Sequence, residues 1–235
     1  MELSLIHDVN VDLEKTTMQV SEKHLRSVER SSAEEAIRSA YELRYRVYCL
    51  ERGFLNADDY TECYEFDEHD SNAAHFYCFD ADSKLVGYAR LLNAESTKYF
   101  PFQKYCSVET ESGALPDASR ALEISRLMVR EDYRRLRGNS GEVGCLNESF
   151  NISSIEKRRQ TREILMNLFE QMYSYSQQND ISHWYAAMER PLARLLTRMN
   201  FLFKSIGPHS DYFGPVAPYL ANLNDYEQLR RRMAA

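Results

Sequence analysis

Ala121-Leu-Glu-Ile-Ser-Arg-Leu-Met-Val129 is a short apolar and β-branched run into which Glu123, Ser125 and Arg126 are set. This alternation predicts a β-strand. Glu123 and Arg126 lie three residues apart, so a regular strand would point them to opposite faces of a sheet. Both can reach one pocket only if the strand bulges or splays. The strand is therefore either the centre of a site or a charged edge strand, and the sequence leaves both open.

A basic loop follows this strand. It carries four arginines and then three glycines, at Arg130, Arg134, Arg135, Arg137, Gly138, Gly141 and Gly144. A strand that runs into a basic, glycine-bearing loop can seat a phosphate on backbone N–H groups. Residues 138–155 have the pattern of an irregular insertion, so the phosphate could instead bind just ahead of Ile155. A solvated, charged loop is the alternative.

The composition fits one acidic globular domain. A chain of 235 residues with 43% hydrophobic content can bury one core, and we expect a single domain over residues 31–235 after a lead-in of residues 1–30. No apolar run approaches about 18 residues, and no charged-then-apolar leader is present, so neither a membrane span nor a secretory signal is expected. Five cysteines without a CxxC pair favour a reducing cytoplasm. The net charge of −7 argues against general nucleic-acid binding.

The first helix and the acidic segment after it carry candidate ligands. Helical spacing predicts a helix from residue 31 to Gly53, with Arg44 inside it either as a surface group or as a ligand clamp. Asp67 and Asp70 follow in a segment that also contains His69. These carboxylates could hold a metal, hold an amine or pair with arginines from elsewhere. We predict no metal site, because the spacing of a calcium loop is absent.

A hairpin and a carboxyl-terminal half complete the predicted fold. Residues 76–79 and 85–92 read as two antiparallel strands, and Arg90 in the second needs a carboxylate partner, either Asp67, Asp70 or Glu123. Residues 207–219 are rich in turn formers and aromatic side chains, which fits a lid, an acyl-tunnel wall or a surface loop. The remaining predicted elements are a helix over 156–178, a strand over 181–188, a helix over 190–199, a strand over 201–206 and a helix over 223–233.

The order and spacing of these motifs resemble a known family. The motifs are Leu43-Arg44-Tyr-Arg-Val-Tyr48, Gly53-Phe54, Glu65-x-Asp67-x-x-Asp70, Gly87-x-Ala-Arg90-Leu and Leu122-Glu123-Ile-Ser-Arg126-Leu-x-Val129. Over residues 41–130 the chain is similar to the acyl-homoserine-lactone (autoinducer) synthases. It is more similar still to their relatives, the N-acyl amino acid synthases and the PEP-CTERM/exosortase-associated acyltransferases. The resemblance implies a GNAT-like α/β (α+β) fold, with a central, mixed but mostly antiparallel sheet flanked by helices.

The resemblance also implies roles for individual residues. The residues that match the family's amine-acceptor site are Arg44, Asp67, Asp70, Arg90, Glu123 and Arg126. Tyr48 and Phe54 stand where the autoinducer synthases usually carry Phe and Trp, and Ser119 stands where some of them carry a proposed base. Leu127, Met128 and Val129 are expected beside the thioester of the acyl donor. We expect Glu123 to remove the amine proton through a water and Arg126 to orient Glu123.

The expected activity is N-acyl transfer from an acyl-carrier-protein or coenzyme A thioester to an amino acid or related amine, with no tightly bound cofactor. Six basic residues could steer the acidic carrier protein or could simply be solvated: Arg134, Arg135, Arg137, Lys157, Arg158 and Arg159. The first alternative is acyl-homoserine-lactone synthesis. Two others are a cysteine-dependent acyltransferase or hydrolase, and a non-catalytic protein that binds acyl carrier protein or lipid.

Overall fold

A mixed seven-stranded sheet forms the centre of the protein, seen in a computed structural model that describes residues 33–94, 99–109, 115–134 and 148–234. The strand order is β1-β2-β3-β4-β7-β5, with the short β6 paired to β7. Neighbouring strands are antiparallel, apart from the parallel pair β3 and β4. The strands are β1 (Ala73–Phe79), β2 (Leu85–Leu92), β3 (Ala121–Val129), β4 (His183–Met188), β5 (Phe203–Ser205), β6 (Ser210–Asp211) and β7 (Pro215–Asn222).

Helices pack on both faces of the sheet, as predicted. Helix α1 (Ala33–Tyr45) runs into a π-helical segment (Arg46–Glu51), and Gly53 follows shortly after it with a φ of 62°. The other helices are α2 (Glu148–Gln178), α3 (Arg190–Arg198) and α4 (Leu223–Ala234). Helix α2 packs so closely on β2 that a Cβ atom at Gly87 would overlap the side chain of Ile164.

The main core lies between the sheet and α2. It contains fully buried side chains of α2 and of the central strands, among them Leu168, Phe169, Met172, Leu122 and Trp184. A second apolar cluster, around Phe102 and Tyr185, covers the opposite face of β3 and β4. A third joins α1 to β2 and β3. The side of β3 that faces α1 therefore lies between two apolar clusters, and the candidate site is found there.

Two expectations for the chain path are wrong. Helix α2 begins at Glu148, so residues 148–155 are helical rather than an irregular insertion. These residues are largely polar, and no apolar periodicity marks them as helical. Residues 207–219 contain β6 and most of β7 instead of forming only a lid or a surface loop.

Several other predictions lie outside the described residues. These are the lead-in of residues 1–30, Cys145, and the loop that contains Arg135, Arg137, Gly138, Gly141 and Gly144. Among the described residues, none of the helices combines the length and the hydrophobicity of a membrane-spanning segment.

Candidate active site

A β-bulge in β3 sets the geometry of the site. Arg126 and Leu127 together face the single residue Ala89 of β2, and Arg126 adopts a left-handed φ of 53°. The extra residue reverses the side-chain alternation beyond it. Glu123 and Arg126 are thereby brought to the same face of the sheet. Of the two arrangements that the sequence left open, a bulged or a splayed strand, the structure has the bulge.

The strands β3 and β4 pair only at their beginnings and then separate. Their parallel ladder covers three positions and ends at Glu123 and Tyr185. Beyond this point, a cleft of about 340 Å³ opens between the two strands and extends beneath α2 and α3. The backbone of residues 124–129 borders this cleft on the side where β4 has moved away. An extended ligand arm can therefore lie along β3 and take the place of the missing strand.

The cleft is mainly apolar. Leu127, Met128 and Val129, which were predicted to lie beside a thioester, line this cleft. Its deeper walls are supplied by α2, β4, α3 and β5, through Leu165, Phe169, Ala186, Met188, Leu192, Leu195, Leu196 and Phe203. This volume and lining suit a thioester arm that carries an apolar acyl group.

An ion cluster lies on the α1 side of the sheet, next to the bulge. It consists of three arginines and three carboxylates: Arg44, Arg90, Arg126, Glu65, Asp67 and Asp70. Arg44 donates from Nε to Glu65 and from Nη1 to Asp70, at 2.6 Å in each case. Helix α1 is thereby tied to the acidic segment that precedes β1.

The remaining two arginines of the ion cluster reach it from the sheet. Arg90 makes two parallel bonds to Asp67, at 2.7 and 2.6 Å, and a third to Asp70 at 2.5 Å. Arg126 Nη2 donates to Glu65 and to Asp67, at 3.0 Å in each case. Such forked, charge-assisted bonds fix side chains firmly. Asp67 and Arg126 are the members with the most exposed side chains, at 18% and 9%.

The ion cluster holds all of its groups in the charged state. Burial alone would raise the pKa of Asp67, but its hydrogen bonds to Arg90 and the charges of the surrounding arginines hold that pKa well below its ordinary value. The pKa values of Glu65 and Asp70 are also lowered by their arginines, against the effect of burial. The three positive and three negative charges therefore balance.

Glu123 stands apart from the ion cluster, at the point where the cleft begins. Its side chain is 4% exposed, and Oε2 accepts a hydrogen bond of 3.1 Å from the backbone N–H of Phe102. Burial raises the pKa of Glu123 to about 7, although that hydrogen bond and the charges of Arg90 and Arg126 act in the opposite direction. A carboxyl group with this pKa can accept and release a proton near neutral pH.

Arg126 was expected to orient Glu123, but in the structure it binds other carboxylates. Its guanidinium hydrogen-bonds Glu65 and Asp67, and among the described residues it makes no hydrogen bond to Glu123. The backbone N–H of Phe102 is the group that donates a hydrogen bond to Glu123. Arg126 does not orient Glu123, because its Nε and Nη2 atoms donate to Glu65 and Asp67 instead.

Aromatic side chains cover the exposed edge of Arg126. The Arg126 Cζ atom lies 4.8 Å from the ring centre of Tyr48 and 5.5 Å from that of Phe213. Phe54 contacts both of these rings, at centroid distances of 5.9 and 6.2 Å. The predicted substrate-binding residues Tyr48 and Phe54 thus reach the same pocket. Phe213, in the β6–β7 turn at a φ of 52°, was missed because it lay in a segment read as a lid or a loop.

A histidine, His75, links the backbone of Asp70 in the ion cluster to Tyr88 of β2. His75 Nε2 lies 3.0 Å from the carbonyl oxygen of Asp70, and Nδ1 lies 2.7 Å from the hydroxyl of Tyr88. A carbonyl oxygen can only accept, so Nε2 carries the proton and Nδ1 accepts from Tyr88. Burial lowers the pKa of His75. No sequence pattern indicated a function for this pair, because both residues lie in ordinary strand patterns.

The predicted docking residues divide into three groups. Arg134 lines the cleft and is ion-paired with Glu51. Arg158 and Arg159 are exposed on α2, with Arg159 bonded to Glu156, and Lys157 is half-buried beside them. Arg135 and Arg137 lie outside the described residues.

Part of the sequence matches a family model, and the fold matches solved structures. Residues 43–141 match the family model of the acetyltransferase (GNAT) domain, a span that contains the whole ion cluster and Glu123. No curated protein sequence matches the chain. The family match bears out the predicted acyltransferase class of enzyme.

Solved structures with the same fold include two acyl-homoserine-lactone synthases. The CoA-dependent synthase BjaI, with SAM and isopentyl-CoA, superposes with a TM-score of 0.60 at 15% identity, over 91% of this chain and 90% of that one. The AHL synthase LasI gives 0.56 at 16% identity, over 85% and 89%. TofI, in a ternary complex with an inhibitor and MTA, gives 0.57 at 15% identity, over 86% and 92%. The predicted GNAT-like fold is confirmed.

Proposed function

We propose that the protein transfers an acyl group from a thioester donor to the amine of an amino acid or a related small molecule. The observation that carries this proposal is the position of Glu123. A buried carboxyl group with a pKa of about 7 lies where the β3–β4 cleft begins and beside a charged pocket. The cleft suits the donor, the pocket suits a polar acceptor, and Glu123 lies between them.

The donor binds as an extended arm in the cleft. Its amide groups pair with the free side of β3, and the acyl chain enters the apolar interior formed by α2, α3 and β5. The thioester carbonyl then lies near the beginning of the cleft, within reach of Glu123.

The acceptor binds at the exposed edge of the ion cluster. Asp67 is the most exposed of its carboxylates, and it can hold an ammonium group. Arg126 is the most exposed of its arginines. Its bonds to Glu65 and Asp67 use Nε and Nη2, so it can hold a carboxylate through Nη1. A zwitterionic amino acid offers both groups at a short separation. This pairing favours an amino acid over an acceptor that carries an amine alone.

The chemistry needs one proton acceptor and no covalent intermediate. The Glu123 carboxylate takes a proton from the acceptor ammonium, directly or through a water. The free amine attacks the thioester carbonyl and forms the C–N bond. The tetrahedral intermediate then collapses as the C–S bond breaks, and the thiol leaves with a proton. The net products are an amide, a thiol and one released proton.

Acyl-homoserine-lactone synthesis is the second candidate. The fold shared with BjaI and LasI, over most of each chain, favours it. It would require the same N-acylation step followed by ring closure of the acceptor. We prefer the simpler N-acylation because the resemblance in sequence is confined to residues 41–130. Membership of the PEP-CTERM/exosortase-associated group is part of this proposal.

The donor carrier is proposed to be acyl carrier protein in the cytoplasm. The exposed Arg158 and Arg159 on α2 offer a basic surface to an acidic partner. Reversing both charges to Glu should raise the KM for the acyl carrier protein and weaken its salt dependence. An unchanged KM and salt dependence would instead favour coenzyme A as the donor.

Mass spectrometry of organic extracts tests the proposed reaction. Cells that express the chain should accumulate an acylated amino acid that is absent from cells expressing the Glu123→Gln variant. An acyl-homoserine lactone in its place would establish the second candidate. Identical extracts would favour a non-catalytic binding protein.

A further inference from the structure

Four aromatic side chains form a wall over Arg126. Two of them, Tyr48 and Phe54, lie on the π-helical segment and in the loop after it. The other two, Tyr212 and Phe213, lie in the β6–β7 turn. The ring centre of Phe213 lies 5.8 Å from that of Tyr48, 6.2 Å from that of Phe54 and 4.7 Å from that of Tyr212. We call these four residues the aromatic roof, and Phe213 is the member that contacts the other three.

The backbone of Phe213 is strained. Its φ of 52° lies in the left-handed region, which a bulky residue rarely adopts. Gly214 follows with a φ of 94°, and the N–H of Tyr212 donates to the Gly214 carbonyl oxygen at 3.0 Å across the turn. Strained residues persist only where the surrounding structure fixes them, and they are concentrated at ligand-binding positions. The strain therefore points to a functional role for the Phe213 ring.

The turn that carries Phe213 is held from both sides. On one side, the ring of Tyr105 stacks on Tyr212, with centroids 4.3 Å apart and planes within 8° of parallel. On the other side, Gly214 packs against Phe54, because a Cβ atom on this glycine would lie 3.4 Å from two atoms of that ring. The aromatic roof is thus a braced wall of the pocket.

The distance between the aromatic roof and Arg126 limits the room for an acceptor. The ring centres of Tyr48 and Phe213 lie 4.8 and 5.5 Å from Arg126 Cζ. A carboxylate bound to Nη1 would place the α-carbon of an amino acid about 5 Å from the same atom. The acceptor side chain therefore begins beside the rings. The cleft of about 340 Å³ is at the lower end of the range for small-molecule sites, and the donor fills part of it.

We propose that Phe213 is a specificity-determining residue that limits the acceptor to amino acids with small side chains, such as glycine, alanine or serine. This inference rests on the proposed function, because it assumes an amino acid held by Arg126 and Asp67. A larger side chain would have to displace the Phe213 ring, and the stack of Tyr105 on Tyr212 opposes this movement. Removal of the Phe213 ring should therefore open the pocket to larger acceptors.

A series of acceptors with increasing side-chain size tests the size limit: glycine, alanine, leucine and phenylalanine, all with the same acyl thioester. For the native enzyme, kcat/KM should fall along this series. In Phe213→Ala, the ratio of kcat/KM for leucine to that for glycine should rise about tenfold or more. Tyr99→Ala is the matched control, at a residue that is 62% exposed and outside the cleft lining, and it should keep the native ratio.

The Phe213→Gly variant keeps the test decisive if alanine destabilises the turn. Glycine adopts a φ near 52° without strain, so this variant should fold. Its ratio of leucine to glycine should rise as in Phe213→Ala. A native ratio in both variants would overturn the proposal. So would a native enzyme that prefers leucine or phenylalanine to glycine, because the rings would then bind the side chain instead of excluding it.

Calorimetric titration with free amino acids separates this inference from the proposed function, because it needs no turnover. Glycine should bind the native protein more tightly than leucine does, and Phe213→Gly should reduce the difference. Absence of amide with every amino acid would contradict the proposed function. Equal binding of glycine and leucine by the native protein would instead contradict the size limit set by Phe213.

Discussion

Glu123 and Arg126 lie three residues apart on β3, and both side chains are on the face of the sheet opposite α2. Leu122 and Ile124, before the bulge, pack into the α2 core, and so do Leu127 and Val129 after it. The interval between apolar residues that face α2 therefore changes from two positions to three at the bulge. A single inserted residue therefore places the side chains of Glu123 and Arg126 on one face of the sheet.

Replacing Glu123 with Gln should lower kcat about tenfold or more, because the amide cannot take the proton of the acceptor. The variant should fold, since an amide oxygen can still accept the hydrogen bond from Phe102. Steady-state kinetics with a fixed donor measure this effect. The exposed Glu68, changed to Gln, is the control for loss of a carboxylate. Turnover near the native value would reduce Glu123 to a structural residue.

The same substitution should raise stability above neutral pH. The pKa of Glu123 is raised to about 7 in the folded protein, above the ordinary value of about 4.5. Its favourable contribution is therefore complete below about pH 4.5 and is lost as the pH rises through 7. Glu123→Gln should then exceed the native protein in unfolding free energy by more than about 1 kcal/mol at pH 8. Denaturant unfolding at pH 5 and pH 8 checks this, and equal differences at both values would contradict it.

Activity should depend on pH through the same group. The base must be unprotonated, so log kcat/KM should rise with pH up to about 7 and then level off. If the rise came instead from the acceptor amine, it would move when an acceptor with a different amine pKa was used. Profiles measured with two such acceptors therefore distinguish the enzyme group from the substrate group.

Loss of one arginine from the ion cluster should be costly. Arg90→Gln leaves Asp67 and Asp70 without their strongest shared partner, and we expect a loss of about 3–5 kcal/mol in unfolding free energy. Arg159→Gln, at an exposed pair on α2, should cost less than about 1 kcal/mol. Urea denaturation compares the two variants. Similar small losses would show that the ion cluster contributes little to stability.

His75 should make the protein sensitive to acid. Its pKa is lowered in the folded state, so its contribution to stability is present above its ordinary pKa of 6.5 and is lost as the pH falls below that value. Protonation of Nδ1 breaks the bond from Tyr88 and adds a positive charge near Arg44 and Arg90. His75→Asn should flatten the fall in stability between about pH 6.5 and 5. An unchanged slope would remove His75 from this account.

The volume of the cleft should limit the acyl chain. Leu195 lines the cleft and is half-buried, so Leu195→Trp should shift the preferred donor to a shorter chain. Leu202→Trp, at a residue that is 37% exposed and outside the cleft lining, is the control. Relative kcat/KM values across a series of acyl lengths measure the shift. An unchanged length profile in Leu195→Trp would place the acyl chain elsewhere.

The sequence predicted the parts of the fold that have a clear periodicity. The alternation in β3, the β1–β2 hairpin and the helical spacing over 156–178 in α2 all correspond to observed elements. The paired arginines and carboxylates were predictable because buried charges need partners. Asp67 and Asp70 accordingly bind Arg90. Glu65 stood in the quoted motif, but its central place in the ion cluster became visible only in three dimensions.

The strand β7 shows why other elements were missed. It lies between β4 and β5, yet it contains Pro218, a residue that normally argues against an interior strand. The carbonyl of Pro218 accepts from the N–H of Ile206 on the β5 side. Its missing N–H faces that same side, beyond the last β5 pair at Tyr219, so the β4–β7 ladder loses no bond. The proline is tolerated because the pairing of β5 with β7 ends at Tyr219, so no β5 residue needs a hydrogen bond from Pro218.

The most direct test of N-acyl transfer with Glu123 as the base is the rate of amide formation by the purified protein. It is measured at pH 8 with an acyl thioester and a mixture of amino acids. The native enzyme should form an N-acyl amino acid and release one thiol for each amide. Glu123→Gln should be slower by about tenfold or more, whereas Glu68→Gln should match the native rate. Amide formation at equal rates in all three proteins would contradict Glu123 as the base, and thiol release without amide would contradict N-acyl transfer itself.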